Sequence, residues 1–165
     1  MTDTSPGTDK IKAILSSVSD PEIPVLSVFD LGIIRDIKMD ENDHITVVIT
    51  PTYSGCPAMN MIEVNIRAAL QEAGFDNVNV ETILNPPWTT DWMTEEGKRK
   101  LKDYGIAPPQ GSVDKSELFG EDKVVPCPHC DSNSTEMISQ FGSTACKSMY
   151  KCLDCLEPFD YFKCH

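Results

Sequence analysis

Two cysteine pairs carry the clearest chemistry in this chain. Cys127-Pro128-His129-Cys130 and Cys152-Leu153-Asp154-Cys155 each hold two thiols three positions apart, with 21 residues between the pairs. Thiolates at this spacing chelate one ion from a single tight turn, and two such turns complete a tetrahedron of sulfurs. Zn²⁺ suits that cage, iron in the same cage is the alternative, and two unrelated redox pairs are the remaining reading. Four closed ligands leave no open position, so the metal is expected to be structural. The residues after the second cysteines, where glycine is common, are Asp131 and Leu156. His129 inside the first turn is expected as an exposed side chain rather than a ligand.

Three further groups lie near this cage in sequence: Cys146, Cys164 and His165. If residues 147–151 and 158–163 pair as antiparallel strands with Lys151 opposite Phe159, Cys146 faces Cys164. That arrangement predicts either a second thiol or metal-transfer site with His165, or two half-buried thiols.

Cys56 stands apart. It precedes Pro57, the expected first residue of a helix, so it is placed at the N-cap, where free N–H groups and the positive dipole end favour a thiolate. The competing reading is a small buried hydrophobe. None of the three histidines, His44, His129 and His165, neighbours it in sequence, which argues against a Cys–His hydrolase. Asp20 and Glu22 are the acidic candidates for a shared site, and are otherwise ordinary solvated carboxylates.

Local patterns supply the scaffold. Thr8 or Asp9 is expected to cap a short helix with an apolar face of Ile11, Ile14, Leu15 and Val18, stopped by Asp20-Pro21-Glu22-Ile23-Pro24. Strands 33–39 and 44–50 flank an Asp-Glu-Asn-Asp turn as a hairpin. A helix over 57–73, with buried stripe Ile62, Ile66, Ala69, Leu70 and Ala73, ends at Gly74, and residues 77–84 alternate as a third strand. Near 91–104 a short helix runs from acidic to basic. The fold class expected is α+β: a small α-β-β-α-β sandwich followed by a three-stranded zinc ribbon. Its boundaries are a disordered 1–8, an α/β domain over 9–104, a Pro- and charge-rich linker over 105–123, and the ribbon over 124–165.

Composition limits the partners. The 165 residues carry 14 Lys+Arg against 26 Asp+Glu, a net charge of −12. That charge opposes nucleic-acid binding through phosphates and docking on anionic membranes. No apolar run approaches the ~20 residues of a membrane-spanning helix. The N-terminus lacks signal-peptide order, and seven cysteines, an odd number, suggest a reducing, cytoplasmic setting in which thiols bind metal.

Three ordered motifs then resemble a known family. Asp20-Pro21-Glu22-Ile23-Pro24, Asp30-Leu31-Gly32-Ile33-Ile34-Arg35 and Thr50-Pro51-Thr52-Tyr53-Ser54-Gly55-Cys56-Pro57 are similar to the signature of the iron–sulfur assembly domain of SufT-like bacterial proteins and eukaryotic cytosolic targeting factors. With the two C-x-x-C pairs, Phe141-Gly142-Ser143-Thr144-Ala145-Cys146-Lys147 and Glu157-Pro158-Phe159-Asp160-Tyr161-Phe162-Lys163-Cys164, nearly all of 9–165 resembles the D-component family of phenylacetyl-CoA 1,2-epoxidases. The resemblance implies an accessory component of a multicomponent monooxygenase, alongside a di-iron oxygenase and a flavin/iron–sulfur reductase. It implies maturation, the delivery of iron or iron–sulfur clusters to those subunits. The family's reactive cysteine falls on Cys56 and its acidic motif on Asp20 and Glu22, with Thr52 of the same loop as a further cofactor-binding candidate. One thiol is too few for a stable cluster, so a transient site needs a second chain (a homodimer), an external thiol, or Asp20 and Glu22 as oxygen ligands. The chain has no di-iron carboxylate–histidine helix motif and no Gly-rich dinucleotide loop, in keeping with an accessory role. The rivals are a purely structural epoxidase subunit and a thiol enzyme using Cys56 as nucleophile.

Overall fold

The computed structural model describes residues 6–52, 56–110 and 124–163. They divide into two compact units. The first runs to Trp88 and includes Trp92–Thr94; the second comprises Thr89–Asp91 and the chain from Glu95 onward.

The first unit follows the order α1 (Pro6–Leu15), β1 (Ile34–Met39), β2 (Ile45–Ile49), α2 (Ala58–Glu72) and β3 (Val78–Thr82). Helix α1 starts at Pro6, so residues 6–8 are its first turn rather than disordered, and Thr8 is buried. Proline suits this position because its missing N–H has no intrahelical partner there. Residues 1–5 lie outside the described set. Strands β1 and β2 are antiparallel, and β3 joins β2 in parallel through the α2 crossover. The turn between β1 and β2 is held by Asp40, whose Oδ1 accepts the N–H groups of Asn42 (2.8 Å) and His44 (3.0 Å). Strand β2 is central, and Ile45, Val47 and Ile49 are fully buried. The core also takes Ile11 and Leu15 from α1 and Ile62, Ile66 and Leu70 from α2.

The Asp30-Leu31-Gly32 motif anchors a distant stretch of the same unit. Trp88 donates its indole N–H to the carbonyl of Leu31 (2.8 Å), and Thr94 donates its backbone N–H to the carbonyl of Asp30 (3.0 Å). Gly32 has φ +69°, and a Cβ there would lie 2.1 Å from the carbonyl oxygen of Trp92. Glycine is required on both counts. A bulge between Ile34 and Asp36 leaves Arg35 unpaired, and its guanidinium sits 3.6 Å from the centre of the Trp92 ring.

The second unit contains α3 (Glu95–Asp103), β4 (Ile106–Ala107), β5 (Thr135–Ser139), β6 (Lys147–Cys152) and β7 (Pro158–Phe162). Its sheet has four strands in the order β4-β7-β6-β5, not three. The extra strand comes from the segment expected to be linker. Ile106 and Ala107 are buried and pair in parallel with Asp160 and Tyr161, closing an edge of β7. Helix α3 travels with β4, so it belongs to this unit and not to the first domain as expected. Of the expected linker, 111–123 lies outside the described residues. The core here comprises Ala107, Val125, Cys127, Tyr150, Cys152, Phe159 and Tyr161.

The β6–β7 register is one residue away from expectation: Lys151 faces Pro158, and Tyr150 faces Phe159. A one-residue slip exchanges the faces of a strand. The observed register gathers Tyr150, Phe159 and Tyr161 on the core side, with ring centroids of Tyr150 5.9 Å from Phe159 and 5.6 Å from Tyr161. The expected register would oppose Tyr150 to Asp160. Among the described residues, no helix is long and apolar enough to cross a membrane.

Candidate metal centre and thiol cleft

The two C-x-x-C turns bring their thiols together. The sulfurs of Cys127, Cys130, Cys152 and Cys155 all lie within 4.8 Å of one another. Cys127 Sγ is 3.7 Å from Cys155 Sγ and Cys130 Sγ is 3.6 Å from Cys152 Sγ, close to the ~3.8 Å edge of a tetrahedron with ~2.3 Å metal–sulfur bonds. The donor set therefore fits a tetrahedral, thiolate-bound metal, and these four residues would hold it.

Local backbone geometry builds each turn. The N–H of His129 points at Cys127 Sγ (3.4 Å), and the N–H of Cys155 points at Cys152 Sγ (3.5 Å). Both turns close through a left-handed residue after the second cysteine, Asp131 at φ 60° and Leu156 at φ 63°. These are the two positions where the sequence lacks glycine. Aspartate tolerates this conformation, and leucine does so at a cost. The Asp131 carboxylate also accepts from Lys102 Nζ (2.5 Å), and the Ser132 hydroxyl donates to Asp154, linking one turn to the other. His129 is exposed.

Clustering four thiols separates their proton affinities. The N–H of Cys155, then that of Asp154, stabilises the Cys152 thiolate against its desolvation and lowers its pKa to about 7. The N–H of Ser132 acts the same way on Cys130, but desolvation and the neighbouring cysteines outweigh it and push Cys130 up to about 12. At Cys155 the N–H of Glu157 is likewise outweighed, by desolvation and the Cys152 and Cys127 thiols, and its pKa is raised. Without metal, charge therefore concentrates on Cys152, and a metal must displace protons from Cys130 and Cys155.

The other expected sites are arranged differently. Cys146 is buried, its Sγ lies 3.0 Å from Thr144 Oγ1, and its carbonyl accepts the N–H of Lys163 (3.0 Å). Lys163, not Cys164, is thus its cross-strand neighbour; Cys164 and His165 lie outside the described residues. Asp20 is buried, and its Oδ1 accepts the N–H groups of Glu22 (2.7 Å) and Ile23 (2.9 Å). That carboxylate oxygen shapes the Pro21–Pro24 turn. Among the described residues, Cys56, Asp20 and Glu22 are not gathered into a ligand group; the four ribbon cysteines are the group of three or more that the fold assembles.

Cys56 is half-buried and stands one residue further out than expected. Pro57, with helical φ −66° and ψ −25°, occupies the cap position of α2, and the Cys56 carbonyl accepts the N–H of Met59 (3.2 Å). Cys56 opens into a cleft of about 300 Å³, whose walls include Pro51, Asn60, Glu63, Thr82 and Leu84. Thr52 is half-buried nearby in sequence, and the Thr50 hydroxyl is buried without a hydrogen-bond partner among the described residues. Sequence reasoning missed Asn60 and Glu63, although 60 and 63 are spaced i, i+3 on one face of α2, just after Cys56.

Comparison with known proteins covers both units. Residues 8–82 match the family described as iron-sulfur cluster assembly protein, and residues 111–163 match the PaaD zinc beta ribbon domain. A curated relative in Escherichia coli (strain K12), named as the D component of a putative 1,2-phenylacetyl-CoA epoxidase, is 48% identical over 159 residues, spanning 96% of this chain and 94% of that one. An Fe-S protein maturation auxiliary factor of Porphyromonas gingivalis is 34% identical over 94 residues, covering 56% of this chain and 89% of its own. A crystal structure of a domain of unknown function, DUF59, from Bacillus anthracis matches with a TM-score of 0.53 at 29% identity, over 56% of this chain and 89% of that one.

Proposed function

Since the chain belongs to the D-component family of phenylacetyl-CoA epoxidases, we propose that it is an accessory factor that matures iron or iron–sulfur cofactors in the partner subunits of such an epoxidase. The observation that carries this reading is the Cys56 cleft. It places a single half-buried thiol, with oxygen donors beside it, in the unit that resembles iron–sulfur maturation factors. A thiolate is a soft ligand suited to iron–sulfur species, and a site with few ligands releases what it holds. The ribbon serves a different purpose. Its Cys127, Cys130, Cys152 and Cys155 hold zinc, which folds that unit, does no chemistry on cargo, and leaves the outer surface for client contact. The clients are the oxygenase and reductase subunits, and Asp20 shapes the loop that precedes the site.

The test compares oxygenase and reductase subunits purified from cells expressing this chain or its Cys56→Ser variant. Iron-poor, inactive partners with the variant support maturation through Cys56. Fully loaded partners refute it.

One observation favours a second reading, a structural assembly subunit. Strand β5 is a sheet edge that exposes Met137 and Ile138, with Phe141 exposed just beyond it. Unpaired apolar edges mark protein contacts. Under that reading the chain co-purifies stoichiometrically with the oxygenase, and Cys56→Ser is tolerated.

A further inference from the structure

We propose that a cavity formed by α1 and β1 binds a small apolar monocarboxylate of about one ring in size, with its carboxylate between Lys12 and Arg35. The cavity measures about 150 Å³. Its described lining shares no residue with the Cys56 cleft, so the proposal stands apart from the maturation reading. Three apolar side chains, Phe29, Ile34 and Ile37, supply its floor, and each is only half-buried. A guest that covers them removes apolar surface from water. The volume sets the size of that guest. An apolar cavity of ~150 Å³ takes one benzene ring, whereas drug-sized ligands fill about 300 Å³ or more.

The charges set its polarity. Lys12 and Arg35 line the same cavity from different elements, and among the described residues neither is ion-paired. Arg35 is held ready for an anion. The bulge in β1 frees it from the strand ladder, and its guanidinium lies 3.6 Å from the centre of the Trp92 ring. Stacking engages the flat face of a guanidinium and leaves its edge N–H groups to meet a carboxylate. One acidic group, Asp36, also lines the cavity. Its Oδ1 accepts the N–H of Ile37 (2.9 Å), its Oδ2 lies 3.7 Å from Lys38 Nζ, and the side chain is half-exposed, so water and Lys38 screen it. The lining thus keeps a positive balance over an apolar floor, in a chain whose net charge is −12. A guest with a ring and one carboxylate satisfies both halves; an inorganic anion leaves the floor wet, and a neutral ring leaves both cations unmet.

The full chain, with zinc in its ribbon, is titrated with benzoate. NMR shifts of the Ile34 and Ile37 methyl groups and of the Trp92 indole N–H report the binding. Acetate (charge without a ring) and benzyl alcohol (a ring without charge) are titrated in parallel. The expected result is saturable benzoate binding at these three signals, with acetate and benzyl alcohol each at least about tenfold weaker. Lys12→Gln and Arg35→Gln each weaken benzoate about tenfold or more, the loss of one charge-assisted contact. Lys10→Gln removes a charge two positions along α1, where Nζ sits over the Phe75 ring at 5.2 Å and outside the cavity lining, and binds as the parent does. Lys12 makes no contact with Trp92, so Lys12→Gln keeps the proposal open to refutation even where Arg35→Gln loosens the Trp92 stack. Acetate or benzyl alcohol binding as tightly as benzoate overturns the inference. So does equal weakening in Lys10→Gln and Lys12→Gln, or the absence of saturable shifts at Ile34 and Ile37.

Discussion

Gly32→Ala tests the account of the Asp30-Leu31-Gly32 motif as a clamp, and Gly74→Ala is its natural control. Both glycines have positive φ, +69° and +95°, so alanine costs about 1–2 kcal/mol at either from backbone strain alone. Only Gly32 has a neighbour. Its new Cβ would stand 2.1 Å from the Trp92 carbonyl oxygen and 2.6 Å from the carbonyl carbon, whereas at Gly74 nothing among the described residues lies within 4 Å. Backbone cannot swing aside as a side chain does, so residues 92–94 must move. That movement breaks the Thr94 N–H bond to Asp30 and the stacking of Arg35 on Trp92, worth about 1 kcal/mol each. Gly32→Ala should therefore lose about 3–4 kcal/mol, and Gly74→Ala about 1–2 kcal/mol. Urea unfolding followed by tryptophan emission reads this directly, because the chain's two tryptophans, Trp88 and Trp92, are in the clamped segment. Equal losses in the two variants would refute the clamp and leave backbone strain as the whole effect.

Three further outcomes follow from the metal centre and its neighbours. Cys152→Ser, or chelation, should unfold the ribbon, because structural zinc supplies about 10–16 kcal/mol of coupled folding energy; loss of dispersed ribbon amide signals in NMR spectra, with tryptophan emission unchanged, checks it. Zinc binding at pH 8 should release at least two protons, from Cys130 and Cys155, whose pKa values are raised. Affinity should then rise with pH and fall further as pH drops through about 7, where Cys152 also takes a proton; calorimetry in buffers of different ionisation enthalpy measures it, and pH-independent affinity contradicts it. Leu156→Gly should slow zinc loss to a chelator and stabilise the ribbon by about 0.5 kcal/mol, since relief of the φ 63° strain exceeds the added flexibility of the unfolded chain; clear destabilisation would show that the exposed leucine packs usefully.

What could be read from residues alone was local. The C-x-x-C spacing names four ligands because a tight turn brings such thiols together whatever surrounds it, and the structure gathers those four. The α-β-β-α-β order follows from periodicities of 3.6 and 2, which neighbouring residues display. Resemblance of ordered motifs identified the family, and the 48% identical relative bears it out.

Whatever depended on distant partners was decided by the tertiary structure. The β6–β7 register was set by three aromatic rings sharing one face, so Cys146 met Lys163 instead of Cys164. Strand β4 was invisible as two residues, and only an open edge on β7, some fifty positions later, makes it a strand. Asp30-Leu31-Gly32 looked like a signature of function; its backbone and its missing side chain receive Trp88, Trp92 and Thr94. Asp20, a candidate ligand by sequence, spends one carboxylate oxygen on its own loop, while Glu63, unremarked as one charge on a helix, shares a cleft with Cys56 because β3 closes the other side. Short-range spacing carries its own geometry. Contacts between residues far apart in sequence exist only once the chain has folded and each face has found its partner.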